Sequence, residues 1–124
     1  MKREIQSAKV ATPAAHYSSA TFDGEVCYVA GIVGIDSDGK FAEGIEAQTT
    51  QTIANIEALL EEVNLGLEDV MSTTVYLKDL ADYRAFDQAY ASAFGGNKPA
   101  RATLRVDMVS PKILVEIQAT ASSK

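Results

Sequence analysis

The sequence predicts an α+β domain with the element order β-β-β-α-β-α-β-β, a sheet carrying two helices on one face. Three observations lead to this. Apolar residues recur at three- and four-residue steps in two segments only, 44–66 and 82–96. The remaining apolar segments are short, β-branched and alternating. Each helical segment lies between strand-like ones, so each is a crossover, and two helices cover only one sheet face. The other face, rich in Thr and Tyr, needs a partner, and identical subunits are the economical one. At 124 residues, 47% hydrophobic and 23% charged, residues 1–124 form one domain with a core that needs no disulfide or metal.

Taken in order, "KREIQSA" (2–8) is a short edge strand, and "KVATPAAHYSSA" (9–20) is a loop, since Pro13 and the small residues disfavour regular structure. "EVCYVAGIVGI" (25–35) is a long β-branched strand. "DSDGK" supplies turn chemistry and "FAEG" (41–44) returns as a brief third strand, closing a β-meander. In 44–66, Ile45, Thr49, Thr52, Ile53, Ile56, Leu59, Leu60 and Val63 make one stripe of a helix, and Asn64 and Gly66 suit its end. "LEDV" is a short turn. In "VMSTTVYLKDL" (70–80), Thr73, Val75 and Leu77 fall on one face of a strand and Ser72, Thr74 and Tyr76 on the other. The second helix has Asp79 or Asp82 as cap, a stripe of Tyr83, Phe86, Tyr90 and Phe94, and Gly95 at its end. The last two strands, flanking "VSPK" (109–112), form a hairpin.

Composition excludes several functions. Seventeen acidic against eleven scattered basic residues give a net charge of −6, a poor match to a nucleic-acid backbone. His16 is the only histidine, so no multi-histidine metal site exists, and no metal or cofactor is expected. Cys27, the only cysteine, sits where a buried strand wants a small apolar residue. No apolar stretch approaches the ~20 residues of a membrane helix, and the N-terminus lacks the apolar middle of a signal peptide. A cytoplasmic location without membrane or nucleic-acid partners is the expectation.

The chemistry gathers on the expected hairpin. Arg101, Thr103 and Arg105 share one face of its first strand. For Ala102, Leu104, Val106 and Met108 to meet Ile113, Val115, Ile117 and Ala119, the numbers of paired residues must sum to an odd value. That parity puts Glu116 on the face of Arg101, opposite Thr103 or Arg105. Two outcomes stay open. Arg105 and Glu116 could form a cross-strand ion pair worth ~0.2–1 kcal/mol, which spacing alone favours. Alternatively, a guanidinium fork holds a substrate carboxylate while Glu116 orients or deprotonates a water. Arg101, just after "KPA", is the better placed clamp.

Together, "ATPAAHYSSA", "VAGIVGID", "QTTQTIANIEALL", "STTVYLKDLADY", "PARATLRV" and "VEIQATA" resemble the reactive intermediate deaminases, the RidA-like or YjgF-like proteins also called endoribonuclease L-PSP. The resemblance spans nearly the whole chain. It implies a chorismate-mutase-like fold, a homotrimer with inter-subunit clefts, and cofactor-independent hydrolysis of 2-imino or 2-aminoacrylate-type acids to 2-keto acids and ammonia. It also implies roles: Arg101 as carboxylate clamp, Glu116 as the group positioning water, and Tyr17 as a catalytic residue of the N-terminal loop. Thr103, Gly31 and Asp87 join Arg101 and Tyr17 in substrate binding. Thr103 stands where the deaminases often carry cysteine, Asp87 where they carry asparagine. The usual "SGQ" is Ala30-Gly31-Ile32, and "GPY" is "AHY", with His16 beside Tyr17.

The expected function is a deaminase acting on a small carboxylate substrate. A non-catalytic trimer binding a metabolite carboxylate is the alternative, favoured by the loss of "SGQ". RNA cleavage ranks third, against the acidic surface.

Overall fold

The computed structural model describes residues 1–124. Its elements are β1 (Arg3–Ile5), β2 (Ala20–Phe22), β3 (Val26–Val33), α1 (Ile45–Glu61), β4 (Val70–Leu77), α2 (Tyr83–Phe94), β5 (Ala100–Arg105) and β6 (Val115–Ser122). The strands form a single sheet in the order β1-β2-β3-β6-β4-β5. The element order and the α+β class are those expected from the sequence. β4 and β5 are parallel neighbours joined through α2, while β6 runs antiparallel to both β3 and β4.

One face is packed. Ile53, Ile56, Leu59 and Leu60 of α1 and Phe86 of α2 are fully buried with Val29, Val75, Leu77, Val115 and Ile117 of the strands. Thr73 shares this face, and its hydroxyl is 2.7 Å from that of Tyr90 on α2. α1 ends as Asn64 and its neighbours require. The Leu65 N–H reaches the Leu60 carbonyl (3.0 Å), the Asn64 N–H reaches that of Glu61 (3.1 Å), and Asn64 takes the left-handed conformation at φ 61°.

The final hairpin does not form. β6 inserts between β3 and β4, so β4 separates it from β5. The parity rule was applied to a pair that never meets: Arg101, Thr103 and Arg105 lie beside Thr73, Val75 and Leu77 on the helix-covered face. Glu116 lies opposite Tyr76 on the bare face. There is accordingly no Arg105–Glu116 ion pair; the two ion pairs are Lys9–Glu61 and Arg101–Asp87. The apolar positions Ala102 and Leu104 point to the bare face, where Leu104 is exposed.

The opening meander also differs in its parts. "FAEG" contributes only a single bridge, Ile35 to Phe41, around a turn that Asp36 closes by accepting from the Asp38 and Lys40 amides. The third strand is instead β2, three residues inside what the sequence presents as loop and turn, paired with β1 and β3.

Candidate functional site

Arg101 enters on edge strand β5 and lies against α2. Its Nη1 donates to Asp87 Oδ1 (2.8 Å) and its Nη2 to the Tyr83 hydroxyl (2.8 Å). The guanidinium sits over the rings of Tyr90 (4.8 Å), Phe86 (5.3 Å) and Tyr83 (5.8 Å). Tyr83, Asp87 and Tyr90 project from one face of α2 at helical spacing, which is why one side chain can meet all three. Burial works against the charge of Arg101, but Asp87, Tyr83 and Tyr90 outweigh it and raise its pKa. Burial also raises the Tyr90 hydroxyl, with the Thr73 hydrogen bond acting the other way. A cavity of about 280 Å3 lies beside this cluster, lined by Asp87, Tyr90, Phe94, Asn97, Lys98 and Arg101.

Glu116 belongs to the bare face. A bulge in β3 puts Ala30 and Gly31 between the Val29–Ala119 and Ile32–Ile117 pairs, two residues against Gln118 alone. Gly31 thereby comes under the Glu116 side chain, and a Cβ there would collide with Oε2. The missing side chain is what lets the carboxylate lie down on the strand. Glu116 makes no side-chain hydrogen bond or ion pair, and burial raises its pKa above 4.5. It lines a cavity of about 380 Å3 with Gly31, Tyr76, Asp107, Met108 and Gln118.

Tyr17 lies on the N-terminal loop, exposed, beside a cavity of about 210 Å3 that also reaches Gly31. That loop is anchored by polar contacts around the buried Ser19: Ser19 Oγ donates to Gln6 Oε1 (2.7 Å), Gln6 Nε2 to the Val10 carbonyl (3.0 Å), and the Ala30 amide to the Ser19 carbonyl (2.9 Å). His16 is exposed and borders a shallow cavity with Tyr17 and Tyr28. The widest concavity, about 740 Å3, lies elsewhere, between residues 38–44 and Pro111–Lys112. Its floor is Gln48, already bonded to the carbonyls of Ala42 and Lys112 and the amide of Leu114, so it belongs to the framework.

The expected residues therefore divide. Arg101, Thr103 and Asp87 stand on the helix-covered side, Thr103 half-buried opposite Val75. Glu116 and Gly31 stand on the bare side, with Tyr17 at the adjoining loop. Tyr83 was read as a stripe residue only, yet its hydroxyl fixes Arg101; its spacing of four from Asp87 was the available signal.

The chain is thus a small α+β protein with helices on one sheet face, a largely buried guanidinium at one edge and a lone carboxylate on the bare face. Residues 8–123 match the family model described as endoribonuclease L-PSP. A RutC family protein of Pyrococcus abyssi is 39% identical over 122 residues, covering 97% of this chain and 96% of that protein. A RutC family protein of Drosophila melanogaster is 32% identical over 98% of this chain and 89% of its own length. The crystal structure of RidA from the Antarctic bacterium Psychrobacter superposes with a TM-score of 0.92 at 30% identity, covering 97% of this chain and 98% of that one. The chain belongs to the endoribonuclease L-PSP family of RidA-like and YjgF-like proteins. No helix in it is long and apolar enough to cross a membrane.

Proposed function

We propose that the protein hydrolyses 2-imino or 2-aminoacrylate-type acids to 2-keto acids and ammonia without a cofactor, in clefts formed between the subunits of a homotrimer. The observation that carries this is the pairing of a held, charged Arg101 at a sheet edge with an unpartnered, half-buried Glu116 over Gly31. Within one chain the two lie on opposite sheet faces, so one substrate reaches both only where the edge of one copy abuts the bare face of another. The bare face suits such packing, since Tyr28 and Leu104 are exposed on it. A cytoplasmic setting, where pyridoxal-phosphate enzymes release such acids, goes with this reading.

In the reaction, Arg101 holds the substrate carboxylate and Glu116 takes a proton from water as the water oxygen adds to the C=N carbon. Glu116 returns that proton to nitrogen; the C–N bond breaks as C=O forms, and ammonia leaves once the hydroxyl proton has passed to it through solvent. Such imines hydrolyse unaided, so positioning and charge suffice. Tyr17 closes the cleft with a hydroxyl and an aromatic wall. A binding-only role is the second reading, favoured by Asp87, which already occupies part of Arg101.

The test generates 2-aminoacrylate in place with a serine dehydratase and follows 2-keto acid release. Wild type accelerates release over the free imine, and Arg101→Ala lowers the acceleration by about a hundredfold or more. No acceleration by wild type overturns the deaminase for this substrate and leaves the binding role; an active Arg101→Ala variant removes the clamp.

A further inference from the structure

A guanidinium has five N–H donors, and Arg101 commits one to Asp87 and one to Tyr83. The three that remain have no partner in the chain. Asp87 is in the complementary state: Oδ1 accepts from Arg101, Oδ2 accepts nothing, and the side chain is 48% exposed. Both groups line the same cavity of about 280 Å3, whose only other charged side chain is Lys98. That cavity is therefore bordered by a guanidinium with uncommitted N–H donors and by an uncommitted carboxylate oxygen, within one ion pair of 2.8 Å.

We infer that Asp87 makes this site selective for zwitterions, molecules with a protonated nitrogen on the carbon next to a carboxylate, over simple carboxylates. The inference rests on the clamp role proposed for Arg101. A bare carboxylate gains from the free guanidinium N–H groups but meets the charge of Asp87 beside them. A zwitterion places its carboxylate on the same groups and its N–H on Asp87 Oδ2, so like-charge repulsion gives way to a charge-assisted hydrogen bond. The 2-iminio acids are the reactive members of this class. Asp87 holds their nitrogen in the protonated form, in which the C=N carbon accepts water most readily, and it disfavours dicarboxylates. Asp87 is thus a specificity-determining residue that contacts the leaving nitrogen.

The test compares 2-aminobutyrate with butyrate, which share a carbon skeleton and differ in the ammonium group, by calorimetric titration near pH 7. Wild type binds 2-aminobutyrate about tenfold or more tightly than butyrate, and Asp87→Asn loses or reverses that preference by tightening butyrate and weakening 2-aminobutyrate. Asp87→Ala, which removes charge and acceptor together, shifts the ratio the same way. Arg101→Ala loses both ligands. An unchanged ratio in both Asp87 variants overturns the inference while the clamp survives; full binding of both ligands by Arg101→Ala, or no binding by wild type, overturns the clamp and the inference with it.

Discussion

Glu116 is a single residue at which the proposed chemistry and the stability of the fold pull apart. It lies over Gly31 with no cation beside it, and burial raises its pKa above 4.5. The sign of the linkage follows: folding favours the protonated form, so the contribution of Glu116 to stability is fully present below its unfolded pKa near 4.5 and is lost as pH rises through the higher folded value. At neutral pH the carboxylate is a destabilising charge. Glu116→Gln is expected to raise the melting temperature at pH 7 and above, with the gain shrinking to nothing towards pH 4, while keto-acid release falls. Thermal melts of both proteins across that range check it; a variant less stable at pH 7 and equal at pH 4 would mean the carboxylate has a partner. Cys27 is the contrasting case, fully buried on a core strand with its thiol pushed up to about 11 by burial, which disfavours the thiolate.

At the scale of elements, α1 does more than cover the sheet. Its buried polar residues stitch irregular chain to the core: Gln48 bonds the Ala42 and Lys112 carbonyls and the Leu114 amide, and Asn55 Nδ2 reaches the carbonyls of Val33 and Ile35. Gly34 makes this possible, since a Cβ there would come within 2.6 Å of the Gln48 carbonyl oxygen. Gln48→Ala removes the partner of three partly buried backbone groups, and a loss of about 1–3 kcal/mol is expected in urea unfolding, with the 38–44 and 110–114 segments the first to exchange their amide hydrogens. Gln48 and Asn55 were invisible as such in the sequence, because a stripe drawn from apolar residues passes beside them. The stripes themselves were legible, as were the faces of β4, for Thr73, Val75 and Leu77 alternate cleanly into the core. β2 was not, because three residues between Ser19 and the Asp23-Gly24 turn are too few to show a period. Nor was the partner of β6. Alternation says which residues of a strand share a face but not which strand lies beside it, so neighbours in sequence were taken for neighbours in space. The hairpin parity put Arg101 and Glu116 on one face and the resemblance to the family added their roles; strand order separates them by a sheet.

If the proposed homotrimer forms, that separation gives it a property that no single chain has. If each cleft takes Arg101 from one subunit and Glu116 from the next, Arg101→Ala and Glu116→Gln damage different sides of the same site. Each homotrimer is then inactive, yet a mixed trimer contains clefts in which an intact Arg101, from a Glu116→Gln subunit, faces an intact Glu116, from an Arg101→Ala subunit. With equal amounts assembled at random, each side of a cleft is intact half the time, so co-refolding should restore about one quarter of wild-type keto-acid release per cleft. The same proteins mixed after assembly, without subunit exchange, should restore nothing. A site assembled within one chain behaves otherwise, since every chain then carries one defect and no mixture recovers. Strand order favours the first outcome: β5 and β6 lie on either side of β4, with Arg101 turned towards α2 and Glu116 towards the bare face. Recovery near one quarter would fix the cleft between copies, and its absence in co-refolded trimers of normal size would place both residues' work within single subunits.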